Sequence, residues 1–178
     1  MVLFDNTLRD GGNVVGHGFS LELTESIVKG LLAAGIQDIE LGNCKGLGAY
    51  EQMGATNAPS DEAYFQVVQP YLSQGRMGMF LLAKCATEER VQRAASAGLE
   101  FLRVGANAGD GAGSVEAVKM VKAAGLTCRY SLMKAYVSSP EELAAGARML
   151  QEAGVDKITI MDSAGTMFPE EAAAYTRA

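Results

Sequence analysis

The sequence predicts an α/β fold of parallel strands crossed by helices, an incomplete TIM (β/α)8-type barrel of about six βα units. One recurring motif carries most of this expectation. An amphipathic segment ends in small residues and a glycine, and a short apolar run follows: Ala33-Ala34-Gly35-Ile36 before Ile39-Glu40-Leu41, Ser96-Ala97-Gly98-Leu99 before Phe101 to Val104, Ala123-Ala124-Gly125-Leu126 before Cys128 to Leu132, and Glu152-Ala153-Gly154-Val155 before Ile158 to Met161. Glycine accepts the left-handed conformation that closes a helix, and long or β-branched apolar residues then suit a strand buried on both faces. Gly75 before Met77 to Leu82 reads as a fifth instance. Spacing is the second observation: about 25 to 40 residues from strand to strand leaves room for one crossover helix, which implies right-handed parallel βαβ units.

Taken in order, strands are expected near residues 2–5, 37–42, 77–83, 100–105, 126–132 and 157–162, with Val2 to Phe4 as a fully buried opening strand. The helices carry start signals. Ser20 precedes Leu21-Glu22-Leu23 as an N-cap, Pro59-Ser60-Asp61-Glu62 opens a helix over Tyr64 to Leu72, and Thr87-Glu88-Glu89 opens the next. Ser139-Pro140-Glu141-Glu142 and Phe168-Pro169-Glu170-Glu171 place Pro and acids in first turns, where a missing N–H is harmless and the helix dipole favours negative charge. A complete barrel of this type needs about 250 residues. The 178 residues are therefore expected to be one partial (β/α) barrel domain, residues 1–178, or a smaller open sheet.

Composition narrows the partners. With 48% hydrophobic and 20% charged residues the chain is an ordinary globular domain able to bury one sizeable core. Its net charge is −6 and its fifteen Lys and Arg are scattered, so neither nucleic acid nor an anionic membrane is expected as a partner. No basic leader precedes the first strand and no apolar stretch is long enough for a membrane span, so a cytoplasmic location is expected. Cys44, Cys85 and Cys128 are odd in number and lack any C-x-x-C, which suits packed thiols.

The chemistry concentrates at Leu3-Phe4-Asp5-Asn6-Thr7-Leu8-Arg9-Asp10-Gly11-Gly12. An apolar run breaks off into an adjacent cation and carboxylate, then two glycines that let the backbone turn steeply or approach a ligand. In parallel α/β folds ligands bind beyond the carboxyl ends of the strands, which makes Arg9 and Asp10 candidate site residues, against the plainer reading of a surface ion pair. Glu40 lies within Ile39-Glu40-Leu41-Gly42, where an unpaired carboxylate would cost several kcal/mol, and Arg9 is its natural partner.

The string D-N-T-L-R-D-G-G resembles the first-strand signature of the DRE-TIM metallolyases, the HMGL-like family of (β/α)8 barrels. The resemblance implies that Asp10 binds a divalent metal, that Arg9 stabilises an enolate oxygen, and that Glu40 supports both. The long loop after strand two, from Gly42 through Leu47-Gly48 to Ser60-Asp61-Glu62, resembles the 4-hydroxy-2-oxovalerate aldolase branch. That branch implies a divalent-metal-dependent carbon–carbon lyase acting on a 4-hydroxy-2-oxo acid through a pyruvate enolate, with Mn²⁺ or Mg²⁺ as the cofactor and Zn²⁺ as the alternative. The branch's catalytic His falls where this chain has Asn13, which cannot transfer protons, so His17, the one histidine, becomes the other candidate for that step. Asp162-Ser163-Ala164-Gly165-Thr166 resembles the family's D-[ST]-x-G-x motif beside metal and substrate; a backbone-bonded turn is the plainer reading.

Arg103, on strand four, points either to the mouth or into the core, and Asn107 in the following Gly-rich loop is placed to reach a ligand. That loop lacks both the P-loop and the dinucleotide orders, so no phosphate role is assigned to it. The family's H-x-H metal pair, carried on a seventh strand, has no counterpart up to Ala178, and Asp10 alone is expected to hold metal weakly. Two rival functions remain: Claisen-type condensation of an acyl-CoA with a 2-oxo acid, and a non-catalytic partial-barrel binding module. Strands one and six would be open edges, available for pairing with another chain or for homo-oligomer formation.

Overall fold

The structure is a computed structural model and describes residues 2–178. Its order is β1 (Phe4–Asp5), α1 (Thr7–Asp10), α2 (Leu21–Ala33), β2 (Asp38–Leu41), α3 (Ala49–Gln52), α4 (Asp61–Val68), β3 (Arg76–Leu82), α5 (Glu88–Ser96), β4 (Phe101–Asn107), α6 (Val115–Ala123), β5 (Thr127–Met133), α7 (Pro140–Glu152), β6 (Lys157–Ile160) and α8 (Pro169–Arg177). The six strands are parallel and hydrogen-bonded in sequence order, so β1 and β6 are the sheet edges. This is an incomplete (β/α)8-type barrel.

Local signals explain the elements. Gly35, Gly98, Gly125 and Gly154 all follow their helices with positive φ, the conformation that ends a helix without strain only when Cβ is missing. Ser20, Ser60, Thr87 and Ser139 each accept a hydrogen bond from the backbone N–H three residues on, relieving one unpaired donor of the first turn. Ser139 and Glu142 do so reciprocally, as a capping box.

Four expectations need correction. Val2 and Leu3 are 68% and 58% exposed and only Phe4–Asp5 pairs, because β1 has a neighbour on one side alone. The helix after Ser60 covers Asp61–Val68 and gives way to a 3-10 turn at Gln69–Tyr71, since Pro70 cannot supply the next ladder N–H; Gly75 is not a left-handed helix cap. β6 exposes Lys157, Ile158 and Thr159, as an edge strand does, and ends at Ile160.

Alternation divides the sheet into two faces of different chemistry. Ile39, Leu41, Met77, Met79, Leu81, Leu102, Val104, Cys128, Tyr130 and Leu132 join one apolar cluster with Val28 of α2, Val68 of α4, Val91 of α5, Val118 of α6 and Leu150 of α7. Each such side chain contributes about 1.5–3 kcal/mol of burial, which makes this face the main cohesive layer. The opposite, inner face is charged. There Asp38 accepts from Arg76 Nη2 at 2.5 Å and from Arg129, and Glu40 accepts from Arg9 and Arg103. Phe4, Phe80 and Phe101 lie between these cations, with Phe101 3.9 Å from the Arg129 guanidinium carbon.

Candidate active site

After β1 the chain coils immediately. Asp5 accepts from the Thr7 N–H at 3.0 Å and from its hydroxyl at 3.1 Å, an Asx-type start, and Asn6 O accepts from the Arg9 and Asp10 N–H groups. Arg9 and Asp10 thus sit on a helical turn at the carboxyl end of β1. Gly12 lets this turn lie against the next loop, since a Cβ there would come within 2.9 Å of the His17 carbonyl oxygen.

Arg9 is 5% exposed and each of its nitrogens has a distinct environment. Nε donates to Glu40 Oε1 at 2.7 Å and Nη1 to Asp10 Oδ1 at 2.6 Å, while Nη2 is buried without a partner. The Phe80 ring lies 5.0 Å from the guanidinium carbon and supports it by a cation–π contact. Glu40, fully buried, also receives Arg103 as a fork, Nε to Oε2 at 2.6 Å and Nη2 to Oε1 at 2.5 Å. Arg103 Nη1 donates to Ser131 Oγ at 2.5 Å. Two guanidinium groups therefore share one buried carboxylate. Asp10, whose side chain is 54% exposed, balances the surplus only from the rim, which leaves the buried tier attractive to an anion.

Below this tier, the Arg76 hydrogen bond, joined by that of Arg129, holds the Asp38 carboxyl down at about 2 despite its burial. Asn13 donates to Asp10 O at 2.9 Å and accepts from Lys45 Nζ at 3.3 Å, which joins the first loop to the second beside Asp10. His17 has a left-handed backbone, φ 84°, held because its N–H donates to Gly12 O and its carbonyl accepts from Cys44 N–H. Its Nδ1 is buried without a partner.

The long second loop is packed down on the sheet. Asn43 pins it by accepting from Lys45 N–H and donating to Ala55 O, Leu47 N–H donates to Phe80 O, and Asp61 accepts from Gly48 N–H at 2.7 Å. Burial pushes the Asp61 carboxyl up to about 6.

The structure brings Arg9, Asp10, Asn13, Glu40 and Arg103 into one hydrogen-bonded chain. Asp162 and Ser163 lie across the sheet beyond β6. Asp162 accepts from Met167 N–H at 2.7 Å, the largest cause of its lowered pKa, and Ser163 Oγ accepts from Lys134 N–H, so both close turns between β5, β6 and α8. Asn107 ends β4 and lines a cavity of about 380 Å³ with Lys84, Gly105, Asp110 and Met133, over the carboxyl ends of the central strands. Sequence reasoning missed Ser131, Lys45 and Phe80. The parity of Arg129-Tyr130-Ser131 on β5, with Tyr130 in the helix-side core, was the available signal for Ser131.

For a divalent ion the fit is partial. Asp10 offers a hard, accessible carboxylate of the type Mg²⁺ and Mn²⁺ prefer, but among the described residues no group of three or more His, Cys, Asp or Glu side chains converges on a point. Nor, among the described residues, is any helix long and apolar enough to cross a membrane.

Comparison with known proteins fits this geometry. The HMGL-like family model matches residues 1–178. The 4-hydroxy-2-oxovalerate aldolase of Carboxydothermus hydrogenoformans is 33% identical over 167 residues, 94% of this chain and 50% of that protein. The 4-hydroxy-2-oxovalerate aldolase 2 of Burkholderia lata is 33% identical over 174 residues, 98% of this chain and 51% of that protein. The chain thus spans about half the length of the curated relatives it matches. In fold it is similar to the carboxyl transferase domain of Rhizobium etli pyruvate carboxylase, with a TM-score of 0.76 at 14% identity over 98% of this chain and 33% of that one.

Proposed function

The chain belongs to the HMGL-like family, and from that premise we propose that its residues form the enolate-stabilising part of a carbon–carbon lyase site for a 4-hydroxy-2-oxo acid such as 4-hydroxy-2-oxovalerate. One observation carries the reading: a buried guanidinium at the carboxyl end of β1, fixed on two sides by Glu40 and Asp10, keeps one nitrogen, Nη2, without a partner. Retro-aldol cleavage removes the 4-hydroxyl proton and turns C4 into an aldehyde. The C3–C4 electrons pass to the 2-oxo group, and the pyruvate enolate oxygen becomes the charged atom. A donor already oriented toward that oxygen stabilises the transition state more than the substrate. Arg9 Nη2 is that donor.

Glu40 holds the guanidinium plane, and Asp10 would hold a divalent ion through one coordination position. Such an ion, when bound, supplies Lewis acidity at the 2-oxo oxygen. His17 is assigned the proton transfer, with Asn13 orienting Asp10 and Lys45. The reaction site takes a small 2-oxo acid.

Pyruvate release from 4-hydroxy-2-oxovalerate, measured with Mn²⁺ on the protein as expressed from its gene, tests this reading. Arg9→Lys keeps the charge but loses the planar fork, and is expected to cut turnover by about two orders of magnitude with a smaller change in KM. Near-normal turnover in that variant rejects the enolate role. Unchanged pH–rate behaviour in His17→Ala takes the proton step away from His17.

A further inference from the structure

We infer that Arg103 is a positioning residue: by taking the side-on edge of Glu40 it prevents that carboxylate from also capturing Arg9 Nη2, which is left free for substrate. The inference rests on the lyase reading only for what the free N–H is used for.

Stereochemistry makes the argument. On a guanidinium, Nε–H and one Nη2–H point the same way and form the side-on fork that carboxylates prefer. Arg103 uses this edge on Glu40, through Nε to Oε2 at 2.6 Å and Nη2 to Oε1 at 2.5 Å. Arg9 uses only half of the same edge, Nε to Oε1 at 2.7 Å, and its Nη2, the other half, is buried with no partner. If the side-on edge of Glu40 were open, Arg9 would close onto it as the fork, since a buried donor left without a partner is costly. Arg103 holds the one edge of the carboxylate on which both oxygens can be met side-on, so Arg9 is left with Oε1 alone.

Arg103 is itself immobile and has no donor nitrogen to spare. It is 2% exposed, Nη1 donates to Ser131 Oγ at 2.5 Å, and the Phe80 and Phe4 rings lie 5.1 and 5.5 Å from its guanidinium carbon. Every nitrogen of Arg103 is engaged within the protein, whereas Arg9 retains one that is not. A substrate contact thus falls to Arg9, and Arg103 acts through Glu40.

The proposal predicts an effect opposite in sign to structural loosening. In Arg103→Met, Oε2 opens and Arg9 should become more tightly held, not less. Side-chain ¹⁵N NMR of the arginines reads this directly: the Nη groups of Arg9, already held by Glu40 and Asp10 in the wild type, are expected to exchange more slowly still in the variant. Oxalate, a planar dianion of the same shape as the pyruvate enolate, should bind at least about tenfold more weakly to the variant. Adding Glu40→Gln to Arg103→Met removes the competing carboxylate and should reverse both effects. Arg103→Lys, which keeps a cation beside Glu40 but cannot fork, should show the same locking and covers the case in which the Met variant fails to fold.

Arg9 Nη exchange that stays unchanged, or becomes faster, in the Arg103 variants overturns the proposal, whatever happens to oxalate. Locking of Arg9 in a protein whose wild type binds no oxalate upholds the positioning role and instead removes support from the lyase reading.

Discussion

Single residues on this scaffold carry opposite electrostatic signs, and Asp61 shows the consequence. Its side chain is buried under the second loop, with Oδ2 on the Gly48 N–H and Oδ1 unpaired. Burial raises its pKa to about 6, with Glu51 adding to the rise and Arg90 and Arg93 opposing it. The folded state therefore binds this proton more tightly than the unfolded chain. The stabilisation is full below the ordinary value of 3.8 and is lost as pH rises through about 6, a difference of about 3 kcal/mol. Asp38 behaves in reverse: held down at about 2 by Arg76 and Arg129, it stabilises above 3.8 and loses that contribution as pH falls toward 2. Asp61→Asn still accepts from Gly48 N–H but cannot ionise. Its stability relative to wild type should rise by up to about 3 kcal/mol between pH 4 and pH 7.5, as read from urea unfolding at each pH. An offset that does not change with pH would show that Asp61 is not the titrating group.

At the scale of elements, β3 and β4 depend on paired absences of a side chain. A Cβ on Gly78 would lie 2.4 Å from the Phe101 ring, and one on Gly105 2.5 Å from the Phe80 ring. Each glycine makes room for the aromatic side chain of the neighbouring strand, and those rings support Arg129, Arg9 and Arg103. Gly78→Ala should therefore destabilise by about 1–3 kcal/mol, and Phe101→Leu in the same chain should recover much of the loss, as measured by denaturant midpoints. Simple additivity of the two losses would contradict this packing. The strands and caps were legible because helix-closing glycines and N-cap Ser and Thr act locally, as at Gly125 and Ser139. The pairing of Arg9 with Glu40 was legible because a carboxylate in an apolar run demands a partner. The side on which Arg103 lies was not, since both faces of β4 are buried and period two cannot say which one meets the helices. α1, a single turn over Thr7–Asp10, was not legible because four residues are too few to show a helical period, although an acid two residues before Thr7 is a turn signal.

Across the whole molecule the inner face sorts charge by depth, and this decides how the mouth treats ions. The buried Arg9, Arg103 and Arg129 face only Asp38 and Glu40 within the sheet, so the buried surplus is positive, and the carboxylate able to meet a cation, Asp10, stands at the rim. The oxygens at that rim are already committed, Asp10 Oδ1 accepting from Arg9 Nη1 and Asn13 Oδ1 from Lys45 Nζ. A hard divalent ion takes six or more oxygen ligands, and one protein carboxylate beside two guanidinium groups leaves it almost wholly hydrated. These 178 residues should therefore bind Mn²⁺ only at about millimolar concentration or weaker, and Asp10→Asn should abolish what binding there is, while anions such as oxalate still bind through Arg9. Electron paramagnetic resonance of free Mn²⁺ during a protein titration measures this without any need for turnover. Micromolar affinity that survives Asp10→Asn would show that the metal is held elsewhere and that Asp10 serves only to orient Arg9.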